Sequence, residues 1–266
     1  MTKLIAEIGW NHMGDMKLAK QMILAAKKSG CDFAKFQTWS VRRLKRGSWD
    51  TDGRREIYEK AELSFEKHIE LKKYCDEVGI GFMSSVFSIE DAKLLKNVVT
   101  DYVKIPSFES RNKELIHYCL KHFGHLLIST GTSNYDEIRS IVLNIPSDRY
   151  TLLHCVSSYP CEFDVVNLPR INDLTDLSDS VGFSDHTQGI EASVLSLGCG
   201  VKWIEKHFTI NNDLPGRDNK FAVLPTEVKR LSEYIKISNK VMNYKGCDYQ
   251  ECETDSREIY GGRWNG

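Results

Sequence analysis

Reactive side chains recur at the ends of short apolar runs in this sequence. Glu7 closes LIAE, with Asn11 and His12 just beyond. Lys35 and Gln37 lie in FAKFQ, and Ser84 and Ser85 follow GFM. Lys104 ends YVK, with Ser107 and Glu109 after it, and Ser129 and Thr130 end LLIST. His154 precedes Ser157, Ser158 and Tyr159; Ser184, Asp185 and His186 form one cluster, and Glu205, Lys206 and His207 another. Lys35 and Lys104 supply fixed positive charge, and Ser85, Ser107, Ser129 and Ser184 supply hydroxyl donors. Together they suit a small anion that carries both phosphate and carboxylate. His186 and His207 suit a divalent metal acting as a Lewis acid, with Glu7, Asp185, water or substrate completing its shell. Glu109 suits a general base toward water or a substrate contact.

Taken singly, each residue has a commoner role. A strand-end lysine pairs with a neighbouring carboxylate, a serine caps a turn, and a histidine is hydrogen-bonded structure. Convergence is what argues for a site, so the elements that position these residues matter. Eight short β-rich runs alternate with amphipathic helical runs. The strands are expected at Leu4–Ile8, Phe33–Phe36, Gly81–Ser84, Tyr102–Ile105, Leu126–Ser129, Thr151–Cys155, Val181–Phe183 and Trp203–Glu205. Alternation of this kind makes parallel βαβ units, and eight cycles close a (β/α)₈ TIM barrel whose strand ends share one rim. A doubly wound open sheet would carry a Gly-rich phosphate turn after its first strand, whereas here the turn reads GWNHMG. The expectation is one barrel domain over 1–242, followed by a polar, Gly-rich tail over 243–266. Residues 38–63 form a long polar connection with no core pattern, a loop length usually functional or mobile. Aromatic residues at helix and strand spacing are expected to be mostly core. Cys155 directly follows His154, and strand alternation points the two to opposite faces, so a nucleophilic Cys–His pair is not expected.

The chain has 266 residues, enough for one such barrel. Its 36 Lys+Arg against 37 Asp+Glu argue against a nucleic-acid or membrane-surface partner. No apolar run reaches the roughly 20 residues that span a bilayer. The eight cysteines include no C-x-x-C pair and read as structural thiols. These features together predict a cytoplasmic protein.

The segments IAEIGWNHMGD, AKFQTW, YVKIPSFE, LISTGTS, LLHCVSSYP, GFSDHT and IEKHFT resemble those of the sialic acid synthases. That family includes the N-acetylneuraminate, legionaminate and pseudaminate synthases and spore-coat relatives. The resemblance runs from about Leu4 to Met242, and KFQ, KIPS, SDHT and EKHFT together make it specific. It implies condensation of phosphoenolpyruvate with an N-acyl aldose such as N-acetylmannosamine, giving a nonulosonic acid and phosphate. It implies that Lys35, Ser85, Lys104 and Ser107 hold phosphoenolpyruvate with Ser129, Ser157 and Ser184. His186 and His207 would bind a divalent ion, Mn²⁺ first, with Mg²⁺ or Co²⁺ as alternatives. Glu7, Gln37, Tyr159 and Asp218 would contact the sugar, with Glu109 near the reacting carbons. It also implies a homodimer.

The sequence departs from the family pattern in places. Ser85 and Val86 stand where threonine and proline are common, Phe108 where KIPSGE places a glycine, and Ser157 where some members have asparagine. Many members carry a C-terminal antifreeze-like domain that supplies an arginine to the partner's sugar. The chain given ends at Gly266, so a barrel without that domain is expected, with Arg263 in the YGGRW tail a candidate substitute. Two alternatives stay open. One is a synthase for a phosphorylated aldose of the octulosonate or heptulosonate phosphate type, using the Arg42–Arg46 cluster. The other is a catalytically silent sugar- or phosphate-binding barrel.

Overall fold

A computed structural model of the chain describes residues 1–264; the last two residues of the expected tail lie outside the described residues. Eight parallel strands pair in chain order, and the last closes on the first. They are β1 (Lys3–Gly9), β2 (Phe33–Thr38), β3 (Gly81–Val86), β4 (Tyr102–Ile105), β5 (His125–Ser129), β6 (Tyr150–Cys155), β7 (Val181–Asp185) and β8 (Trp203–His207). The expected (β/α)₈ barrel is therefore the observed one, with strand limits within one or two residues.

The helices are α1 (Met16–Lys28), α2 (Arg54–Ala61), α3 (Phe65–Val78), α4 (Ile89–Leu95), α5 (Lys113–His122), α6 (Tyr135–Val142), α7 (Arg170–Thr175), α8 (Glu191–Ser196), α9 (Pro225–Val241) and α10 (Thr254–Tyr260). Local sequence starts several of them. The Asp15 carboxylate accepts from the backbone of Lys17 and Leu18 at the head of α1. Asn134 and Glu137 form a reciprocal capping box at α6, which satisfies two otherwise orphaned amides. The buried faces of α1, α3, α5 and α9 pack on the outer surface of the sheet and make the larger core.

A second, smaller core fills the barrel's interior. Ile5, Met83, Leu127, Leu153 and Trp203 meet there, with Phe33 and Tyr102 against them. Gly182 makes room for it: a Cβ at that position would stand 2.4 Å from Leu153 Cδ2. This apolar plug makes the barrel a packed body and not a pore.

One expectation needs correction. The connection over 38–63 is not without structure, because it contains α2 and two short 3₁₀ turns. Its buried anchors, Ala61 and Leu63, are too sparse to show as a pattern in sequence. In the tail, Arg263 lies over the rings of Tyr260 and Trp264 at 5.2 and 4.8 Å. Among the described residues no helix is long and apolar enough to cross a membrane.

Candidate active site

Strand alternation sorts the strand-end residues into two sets, so they do not all converge on the mouth. Glu7, Lys35, Gln37, Ser85, Lys104 and Ser129 line the cavity at the C-terminal end of the barrel, as do Ser184, His186, Glu205 and His207. Their sequence neighbours face the helices. Ser84 bonds Thr38, His154 bonds the Val166 carbonyl and stacks on Phe183, and Lys206 pairs with Asp185. Asp185 therefore cannot complete a metal shell inside the barrel.

The inward set forms one charge cluster. Lys35 Nζ lies 2.5 Å from Glu7 Oε2 and 3.5 Å from Glu205 Oε2, and donates to Ser85 Oγ at 2.9 Å. Lys104 Nζ and Ser184 Oγ both donate to Glu205 Oε1 at 2.9 Å. Gln37 Nε2 donates to Glu7 Oε1 at 2.6 Å. Burial pushes the Glu7 carboxyl above its ordinary range, with Lys35 opposing. Burial acts on Glu205 in the same sense, but Lys104 and Lys35 outweigh it and hold that carboxyl low. Four charges in one buried cluster contribute little net stability compared with an apolar filling. Their arrangement suits a site that trades internal partners for an incoming anion.

Unused donors stand beside this cluster. The Ser129 and Ser157 hydroxyls are buried without a hydrogen-bond partner. A Cβ on Gly131 would come within 2.4 Å of Ser157 Oγ and 2.6 Å of Ser107 Oγ, so only glycine keeps this hydroxyl cradle open. Orphaned buried hydroxyls are uncommon in finished interiors, and these two are free to donate to a bound anion. The expected anion contacts Lys35, Ser85, Lys104, Ser107, Ser129, Ser157 and Ser184 are thus brought together.

The two imidazoles also meet. The His186 and His207 ring centroids are 5.4 Å apart, and Tyr159 lies 4.2 Å from His186. His186 Nδ1 donates to the Val156 carbonyl at 2.8 Å, which leaves Nε2 with a free lone pair. His207 Nδ1 is buried without a hydrogen bond, 3.4 Å from Asp218 Oδ2. Burial first, then His186, keeps His207 neutral, the form that ligates metal. Among the described residues no three His, Cys, Asp or Glu groups gather closely enough to hold an ion alone. The donor set fits an open two-imidazole site whose remaining positions fall to solvent or substrate.

Cys155 has a neighbour that strand alternation alone does not reveal. It does turn away from His154, but its Sγ sits 3.8 Å from His186 Nδ1 and 3.4 Å from Ser107 Oγ. Burial raises this thiol, but His186, Ser107 and Lys104 together outweigh it and bring it to about 7. The sulfur lies on the Nδ1 side of the ring, behind the face left for a metal.

Above this floor the cavity widens to about 1230 Å³. Glu109, on the turn after β4, accepts from Asn112 at 3.0 Å and faces the cavity. Phe108 stands exposed at the rim. Asp218, its carboxyl raised by burial to about 6, lines the wall after β8. Several aromatics expected in the core build the opposite wall. Tyr58 of α2 lies 5.1 Å from Trp10 and 5.8 Å from Trp39. Glu205, the hub of the charge cluster, stands among the expected strand-end residues but without an assigned role. Its signal was present, because it sits two residues before His207 on one strand and so shares its face.

The chain matches the model of the NeuB family over residues 22–246. It is 36% identical to N,N'-diacetyllegionaminic acid synthase of Legionella pneumophila, over 90% of this chain and 72% of that protein. Pseudaminic acid synthase of Helicobacter pylori is 32% identical over 89% of this chain and 74% of its own. The human N-acetylneuraminate-9-phosphate synthase is 28% identical over 97% and 76%. Among solved structures, the N-acetylneuraminic acid synthetase of Leptospira borgpetersenii superposes with a TM-score of 0.88 at 27% identity, covering 100% of this chain and 93% of that one. A heptulosonate phosphate synthase of Thermotoga maritima shares the fold alone, at 11% identity and a TM-score of 0.70. With eight-tenths of its length matched and its site residues gathered at one barrel mouth, this chain belongs to the NeuB family.

Proposed function

We propose that the chain condenses phosphoenolpyruvate with an N-acyl aldose, such as N-acetylmannosamine or a diacetamido relative, to give a nonulosonic acid and phosphate. The observation that carries this reading is the Lys35–Lys104 cluster with its two unpartnered hydroxyls, set beside the imidazole pair. Family membership makes it an enzyme of sugar-acid synthesis; the acceptor is the part proposed here.

The residues divide the work. Lys35 and Lys104 take the phosphate and carboxylate of phosphoenolpyruvate, and Ser85, Ser107, Ser129, Ser157 and Ser184 add hydroxyl donors. Charge-assisted bonds of this kind are about twice as strong as neutral ones. Gln37, Glu7, Tyr159 and Asp218 orient the open-chain sugar so that its aldehyde faces C3 of the enol. Held in this way, the two reactants meet as one bound pair. His186 and His207 would hold a divalent ion, Mn²⁺ first and Mg²⁺ or Co²⁺ after it, which when bound supplies Lewis acidity to the aldehyde oxygen. As C3 bonds the aldehyde carbon, positive charge grows at C2. Glu109 accepts a proton from the water that adds there; the tetrahedral carbon then forms its carbonyl as the bond to phosphate breaks, the lysines stabilise the departing phosphate, and the water's protons end on the new sugar hydroxyl and the phosphate. In this reading the enzyme is a cytoplasmic homodimer acting on small molecules.

The test is phosphate release with Mn²⁺, phosphoenolpyruvate and a panel of free and phosphorylated aldoses. Release that needs both substrates and favours free N-acyl sugars supports the proposal. Preference for phosphorylated sugars supports the second reading, which Lys45, Arg54 and Arg217 at the outer cavity favour. No release with any sugar, despite tight phosphoenolpyruvate binding, returns the silent-barrel reading.

A further inference from the structure

We propose that the buried Asp185–Lys206 pair, outside the barrel wall, is a positioning device for the imidazoles of His186 and His207. The proposal rests on the reading that those imidazoles hold a divalent ion.

Asp185 and Lys206 stand directly opposite each other across β7 and β8. Lys206 Nζ lies 2.9 Å from Asp185 Oδ2, and both side chains are almost wholly buried. The other atoms of the pair are committed as well. Asp185 Oδ1 accepts from the Thr187 backbone amide and hydroxyl at 2.8 Å each, and Oδ2 accepts from Ser193 Oγ at 2.6 Å. Lys206 Nζ also donates to the Thr187 carbonyl at 2.5 Å. Neither side chain lines the cavity. The pair therefore joins residue 185, residue 187 and residue 206, the immediate neighbours of both histidines.

A matching link lies on the inner face, where Ser184 donates to Glu205 one residue earlier. The strand ends are thus stitched on both faces just below the imidazoles. His186 is further held by its bond to the Val156 carbonyl, while its own carbonyl accepts from Cys161 at 2.9 Å. A two-imidazole site has no third protein ligand to compensate for misplacement, so its affinity depends on how well the two rings are spaced. A buried ion pair adds little net stability over an apolar pair of similar size, but it fixes geometry through directional bonds. Stability and metal affinity should therefore separate on mutation.

The experiment titrates Mn²⁺ into substrate-free protein and reads free Mn²⁺ by electron paramagnetic resonance, with urea unfolding in parallel. The variants are the double change Asp185→Asn/Lys206→Met and the single change Thr187→Val. The double variant should unfold near the wild-type midpoint while its Mn²⁺ dissociation constant rises by about tenfold or more. Thr187→Val, which keeps the pair but removes one hydroxyl, should raise it less, in the same direction. Wild-type affinity in the folded double variant overturns the proposal. Should the double variant fail to fold, unchanged affinity in Thr187→Val overturns it instead. A wild-type protein that binds no Mn²⁺ overturns the ion reading, and the positioning role falls with it.

Discussion

The lower and upper halves of the barrel interior are built by the same strands and obey opposite rules. On β2, Phe33 faces the lower plug and Lys35 the cavity; on β4 the pair is Tyr102 and Lys104; on β8 it is Trp203 and Glu205. Two residues along each strand, the interior changes from packed rings and aliphatic chains to paired charges and unused hydroxyls. The plug is satisfied by its own contacts. The upper layer holds two lysines and two glutamates that pair with one another. The comparison teaches that the plug supplies rigidity, which lets the layer above carry paired charges and unpartnered hydroxyls.

The contrast can be broken from the top first. Lys104→Met removes one anion contact and should lower the rate of phosphate release by roughly 10²–10³-fold, the scale of one preorganised electrostatic contact. Initial rates at saturating substrates measure it; a loss below tenfold would remove Lys104 from the anion site. Glu205→Gln leaves Lys35 and Lys104 short of a buried counter-charge and should cost about 3–5 kcal/mol in urea unfolding. Added phosphoenolpyruvate should recover part of that stability, because the ligand supplies the missing negative charge.

The lower half should answer differently. Leu127→Ala in the plug should cost about 2–5 kcal/mol while the folded enzyme keeps most of its turnover. Equal damage to turnover would mean that the plug tunes the site as well as supporting it. The smallest effect concerns pH, to which the aliphatic plug residues are insensitive. His12, in the turn after β1, is fully buried and accepts from the Gly14 amide at 3.0 Å. Burial lowers its pKa from 6.5 to about 4. Between those values the unfolded chain binds a proton that the native state does not, so stability falls as pH falls through this window. The loss approaches about 3 kcal/mol near pH 4. His12→Gln should flatten that limb in urea unfolding followed from pH 7 to 4; an unchanged slope would assign it to other groups, such as buried His68.

Much of this was legible in sequence because it depends on local periodicity. Eight apolar runs with polar ends announce a barrel, and the KFQ, KIPS, SDHT and EKHFT segments carry the site. Lys35, Lys104, His186 and His207 all reached the cavity as expected. What the sequence did not show lay where distance along the chain says nothing about distance in space. Cys155 turns from its neighbour as strand alternation requires, yet it meets His186, 31 residues away, which no local pattern shows. Trp10, Trp39 and Tyr58 formed a wall only because α2 folds back over the mouth.

The sequence by itself determined the strands, their order and which residue types lie at their ends, since a period of two and short connections leave few topologies. Only the tertiary structure decided which end residues face each other. Barrel closure brings β8 beside β1 and places Glu205 between Lys35 and Lys104, residues 170 and 101 positions away. It also set Asp185 and Lys206 behind the wall that His186 and His207 face. Such partners are chosen by closure and register across strands, which no local pattern encodes.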